Sequence, residues 1–158
     1  MRIGIAADHQ GFELKKNILN FLYRNEFDVC DYGASVFNPT DDYPDFIIPL
    51  ARAISNHEVD RGIAICGTGV GVCIASNKIK NVRAGIIHDV FSAQQGVEDD
   101  NMNMICLGAR VVAFPLATRL IHYFLLAQFS DQPRFARRLL KVSQAEELEN
   151  LYVSFCQA

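Results

Sequence analysis

In the stretch CGTGVGVCIASNK, residues 66–78, a cysteine stands directly before three glycines at alternate positions, Gly67, Gly69 and Gly71. Residues without side chains at the opening of a helix leave a run of backbone N–H groups unobstructed, which suits an anionic oxygen such as a developing enolate. Cys66 sits at the edge of that field. A nearby helix N-terminus lowers a thiol's pKa and raises its thiolate fraction, so Cys66 could serve as base or nucleophile. The same residues also fit a plainer arrangement, a small buried thiol beside a tight strand-to-helix turn. Two nucleotide readings fail on spacing. The dinucleotide fingerprint is GxGxxG after a first strand, and a Walker loop needs GxxxxGK before Ser or Thr. Here the pattern is GxGxG after a third strand, and Lys78 is out of position. A redox role is disfavoured because no resolving cysteine stands close in sequence.

Other residues could work with this loop. Asp8 and His9 follow the first apolar run, RIGIAA. Asp8 is also a common helix-capping type; His9 is not, and is expected to touch a ligand. Tyr43, in TDDYPD ahead of a second helical segment, belongs either to capping sequence or to the cleft. Arg134, Arg137 and Arg138 crowd the first turns of a C-terminal helix. Like charges at i,i+4 cost about 0.2–0.5 kcal/mol, and cations at a helix N-terminus oppose its dipole. Such an arrangement makes sense where an anion sits, phosphate above all, since Arg binds it bidentately. Arg110, just past the fifth strand in LGAR, could join them. Glu98-Asp99-Asp100-Asn101 is an acidic run expected in a loop before that strand, either merely solvated or able to reach a neighbouring subunit's cleft rather than its own.

The elements that must position these residues follow from patterning. Apolar runs alternate with amphipathic stretches: RIGIAA, FDVCDYG, DRGIAICG, VRAGIIH and MNMICLG read as strands, with helical segments between them. Parallel strands need crossovers that are usually helical, so the prediction is an α/β fold: a Rossmann-like three-layer αβα sandwich on a five-stranded parallel sheet. After Ser130-Asp131-Gln132-Pro133, apolar residues at Phe135, Leu139, Val142, Leu148, Leu151 and Phe155 predict an extra C-terminal helix over 131–158, whose stripe a partner subunit could cover.

At 158 residues, half of them hydrophobic, the chain is expected to form a single domain over 1–158. A net charge of −3 without basic runs argues against nucleic acid and membrane surfaces as partners. No window approaches the ~20 apolar residues of a membrane span, and MRIGIAAD is too short for a signal peptide, so a cytoplasmic protein is expected. Five cysteines without a CxxC pair read as reduced thiols, with no metal site implied. Cys73 is expected in the core.

Taken in order, Asp8-His9, TDDYPD, ICGTGVGVCIASNK, DVFSAQ, NMNMICLGARVV and the arginine-rich final helix resemble the ribose-5-phosphate isomerase B and galactose-6-phosphate isomerase family over nearly the whole chain. The resemblance implies a homodimer, or a dimer of dimers, with active sites between subunits. It also implies cofactor-free aldose–ketose isomerisation of a phosphorylated sugar, ribose 5-phosphate before galactose 6-phosphate. By position, Cys66 resembles the base that moves the proton between C1 and C2, with Thr68 beside it. Gly67, Thr68, Gly69, Val70 and Gly71 resemble the loop that holds the enediolate; Asp8 and His9 match substrate contacts; Arg110, Arg134 and Arg138 match phosphate contacts. The chain departs from the family at Asp99-Asp100, where a His-Asn pair is typical and the His is the acid that opens the furanose ring. It departs again at Phe135, where some members carry His.

Overall fold

The computed structural model describes residues 1–156, with side chains through Glu147. Its elements are β1 (Arg2–Ala7), α1 (Phe12–Arg24), β2 (Asp28–Asp31), α2 (Pro44–Ser55), β3 (Arg61–Cys66), α3 (Val70–Ser76), β4 (Ala84–Ile86), α4 (Val90–Asp100), β5 (Met104–Gly108), α5 (Phe114–Leu126) and α6 (Pro133–Cys156). All five strands run parallel, in the order β2-β1-β3-β5-β4. The α/β sandwich expected from the alternation is therefore observed, with β5 inserted between β3 and β4.

Period-two alternation within the strands decides how each face is covered. Ile3, Ile5, Ile63, Ile65, Ile105 and Leu107 point to one side and pack with α1, α4 and α5. Gly4, Ala6, Gly62 and Ala64 point to the other, where small residues let α2 lie close; a Cβ on Gly62 would come within 2.6 Å of Ile54 Cδ1. Cys66 and Cys106 face this second layer, formed by α2 and α3. Buried Lys15 on α1 donates to both oxygens of Asp31 (2.6 and 2.8 Å) and to the Ala34 carbonyl (2.8 Å), pinning the loop after β2.

Two expectations change. The acidic run is not a loop: Glu98, Asp99 and Asp100 form the last turn of α4, which ends at Asn101 in a left-handed conformation (φ 51°). Carboxylates there oppose the helix dipole, which is why they read as loop, but burial of Ala93 and Val97 one turn apart carries the helix through. Cys73 is half-buried at the rim of the core rather than inside it. Hydrogen bonds from the Cys106 thiol and then from Asn77 bring the Cys73 thiol down to about 7, against the opposing effect of burial.

The C-terminal helix forms as expected through Cys156, while Leu148, Leu151 and Phe155 lie outside the residues with described side chains. Of its stripe, Phe135 is buried and Leu139 half-buried, whereas Val142 is 60% exposed. No helix among the described residues is long and apolar enough to cross a membrane.

Candidate active site

Strands β1, β3 and β5 are neighbours, with Ala7 paired to Ile65 and Cys66 to Gly108, so their carboxyl ends deliver three short segments to one edge. Ligands in open α/β sheets bind at this edge. From β1 come Asp8, His9 and Gln10; from β3, Cys66 to Gly71; from β5, Ala109 and Arg110. The last two segments are laced together, with Ala109 N–H donating to the Cys66 carbonyl (2.8 Å) and Arg110 N–H to that of Gly67 (3.0 Å).

Around the thiol the backbone does the work. The Gly69 N–H donates to Cys66 Sγ at 3.2 Å, which the left-handed conformation of Gly69 (φ 84°) makes possible. A side chain at Gly69 would be strained and would approach the Gly108 nitrogen to 3.3 Å. Cys66 is itself buried; Thr68 and Val70 are exposed above it. Tyr43, at the N-cap position of α2, lays its ring against Gly71: a Cβ there would stand 2.9 Å from Tyr43 Cζ. Asn77 closes the far end of α3 by pairing both ways with Ala84, Nδ2 donating to its carbonyl and Oδ1 accepting its N–H, each at 2.9 Å.

Asp8 does cap a turn, accepting the N–H groups of Gln10 (2.9 Å) and Gly11 (3.1 Å) through Oδ1. Burial nonetheless raises its carboxyl pKa above the ordinary value, the hydrogen bond from Gly11 opposing. His9 Nδ1 lies 2.6 Å from Asp41 Oδ1. Arg110 donates to Gln10 Oε1 beside Gly67. Neither Asp41 nor Gln10 stood out in the sequence. Their signal is a partner brought in from another element, which no local pattern carries.

The remaining sequence-derived residues gather elsewhere. Asp99, which accepts from Gln95 Nε2 (2.8 Å), and exposed Asp100 sit just before β5, at the amino edge of the sheet. The loop entering α6 reaches the same place, with Ser130 N–H donating to the Glu98 carbonyl (2.9 Å). Arg134 and Arg138 follow, their guanidinium carbons 4.3 and 5.9 Å from the Phe135 ring centre. Among the described residues no carboxylate pairs with Arg134, Arg137 or Arg138. One chain thus does not bring Asp99, Asp100, Arg134 and Arg138 to Cys66. A cavity of about 670 Å³ near that end is lined by Arg83, Gln95, Asp100 and Val142 among others; it touches the far end of α3 at Asn77 but includes neither Cys66 nor the 67–71 loop.

Comparison with known proteins decides what this arrangement belongs to. The model of the family described as Ribose/Galactose Isomerase matches residues 3–142. The chain belongs to this family. As a ribose/galactose isomerase it is an enzyme, and solved relatives share its fold. The ribose-5-phosphate isomerase B of Clostridium thermocellum is 39% identical, covering 94% of this chain and 99% of that one, with a TM-score of 0.90. The enzyme of the same name from Mycoplasma genitalium, solved with bound ribulose-5-phosphate, is 40% identical, covering 92% and 96%, with a TM-score of 0.87. The D-erythrulose-4-phosphate isomerase of Pectobacterium atrosepticum is 39% identical over 82% of this isomerase and 85% of its own length.

Proposed function

We propose that the protein interconverts aldose and ketose forms of a sugar phosphate without a cofactor, ribose 5-phosphate and ribulose 5-phosphate first. The observation that carries this reading is the Gly69 N–H at 3.2 Å from Cys66 Sγ. The N–H aimed at the sulfur belongs to a backbone that also offers donors to an oxyanion. In the proposed reaction the Cys66 thiolate takes the proton from C2 of the open aldose. The resulting enediolate is held by N–H groups of the 67–71 loop, with Thr68 beside it. The hydroxyl proton on O2 passes to O1, and a proton on sulfur is returned to C1 to give the ketose. Asp8, His9 and Tyr43 bound the sugar, and Arg110 contributes to the phosphate site.

The reading includes a homodimer. Arg134 and Arg138, without carboxylate partners among the described residues, would hold the phosphate in a second copy's cleft, and Asp99-Asp100 would reach it too. Exposed Val142 on α6 supports the same assembly. The four free thiols among the described residues fit a reducing compartment such as the cytoplasm.

A second substrate is favoured by Asp99, which stands where ring-opening His is typical, and by the four-carbon name of the Pectobacterium relative. An aldotetrose 4-phosphate has its O4 esterified and cannot close a furanose ring, so it needs no ring-opening acid. A panel of ribose 5-phosphate, galactose 6-phosphate and erythrose 4-phosphate, assayed on the wild type and on Asp99→His, separates these. Fastest turnover of ribose 5-phosphate supports the first reading. Turnover of the four-carbon substrate alone, with ribose 5-phosphate activity gained in Asp99→His, supports the second. Binding without turnover of any of them leaves a sugar-phosphate binder and overturns the isomerase.

A further inference from the structure

His9 is held by a residue that has no part in the reaction described above. Asp41, in the loop ahead of α2, accepts the backbone N–H of His9 at 2.9 Å and faces its Nδ1 at 2.6 Å, both through the single oxygen Oδ1. Its side chain is 7% exposed, and its other oxygen, Oδ2, is buried with no hydrogen-bond partner among the described residues. A buried carboxylate with half its acceptors unmet is costly, and a positive charge on the group it touches offsets that cost.

Two consequences follow from the geometry. With Nδ1 donating to Asp41, the tautomer is set, and Nε2 is the ring nitrogen left for a ligand. With the backbone N–H and Nδ1 anchored to one oxygen, the imidazole's orientation is fixed while Nε2 stays open. His9 is also next in sequence to Gln10, whose side chain fixes the Arg110 guanidinium. The imidazole and the guanidinium are therefore fixed by neighbouring residues on one edge, each by its own acceptor.

We propose that Asp41 is a positioning residue that makes His9 a fixed cation, its Nε2–H donating to an anionic oxygen of the substrate alongside Arg110. The identity of that oxygen rests on the sugar-phosphate reading above; the His9–Asp41 couple itself does not. The charged groups facing the ring are Asp41, from the loop before α2, and Asp8, from the end of β1. Arg110, from the loop after β5, is engaged by Gln10. The hydrogen bond to Asp41 raises the imidazole pKa above its ordinary 6.5, desolvation opposes, and the Asp8 charge adds to the rise. The sign follows directly: the cation persists above pH 6.5 and is lost only as pH rises through the raised value, so any binding it supports fails on the alkaline side.

The test has two arms. In the ligand-free protein, NMR of the His9 ring nitrogens follows its titration and tautomer in the wild type and in Asp41→Asn, which keeps the shape and the acceptor but removes the charge. The expected result is a wild-type pKa above 6.5, Nδ1–H in the neutral form, and a lower pKa in the variant. In the second arm, KM for the substrate found by the phosphosugar panel rises in Asp41→Asn by about tenfold at pH 8 and much less at pH 6, with kcat changed less; Asp41→Glu recovers part of the loss. Wild-type His9 titrating at or below 6.5 overturns the proposal, a result that needs no variant to fold. So does an equal loss of activity at both pH values with an unchanged His9 titration, which marks a structural role alone. If no sugar phosphate is turned over, the isomerase reading fails and the first arm still decides the couple.

Discussion

The backbone N–H of Gly69 points at the sulfur of Cys66 across 3.2 Å, three residues on in the same loop. The peptide chain itself thus supplies a hydrogen-bond donor to the thiol. If it is the base, Cys66→Ala removes exchange of the C2 proton with solvent and lowers kcat by at least about 100-fold, while thermal unfolding shifts little. Proton exchange and turnover at wild-type rates in the folded variant would assign the thiol to packing.

The contact between Tyr43 and Gly71 yields a packing prediction. A Cβ at Gly71 meets the Tyr43 ring at 2.9 Å, and the ring is carried by the N-cap residue of α2. Gly71→Ala is expected to destabilise the protein by about 1–3 kcal/mol and to displace the first turn of α3. In Tyr43→Ala the space opens, so adding Gly71→Ala to that background should cost far less than it does alone. Denaturant unfolding of the two single variants and the double variant reads the coupling; additive effects would show that the ring does not confine the loop.

Subunit mixing tests how the site is assembled. In the proposed homodimer, Cys66→Ala and Arg138→Gln would each be weakly active, because each would lack one half of every site. In a hybrid dimer one site carries both defects and the other neither. A statistical mixture, refolded together, should therefore regain about a quarter of wild-type activity. Activity no greater than the sum of the separate variants would place both residues in the service of one chain's own cleft.

Much of this was legible in the residues. Alternating Ile and Gly or Ala in RIGIAA and RGIAIC dictates strands with one bulky and one close-packed face, because side chains a residue apart point to opposite sides of a sheet. The glycine spacing after Cys66 dictates a turn that brings backbone N–H groups to the thiol, as the left-handed Gly69 requires. Such features are local: they depend on residues within one strand or one turn, and the sequence carries them outright. The order of the strands, with β5 between β3 and β4, is not local. Neither are the bonds of Asp41 to His9, 32 positions away, and of Arg110 to Gln10, 100 positions away. Nor could Asp99-Asp100 be placed from their own chemistry, since charges that disfavour a helix end were outweighed by the burial of Ala93 and Val97 against the sheet. The residues alone determined the loop and its thiol; which distant side chains stand beside it was decided by the tertiary structure, because contacts across strands depend on packing that no single segment contains.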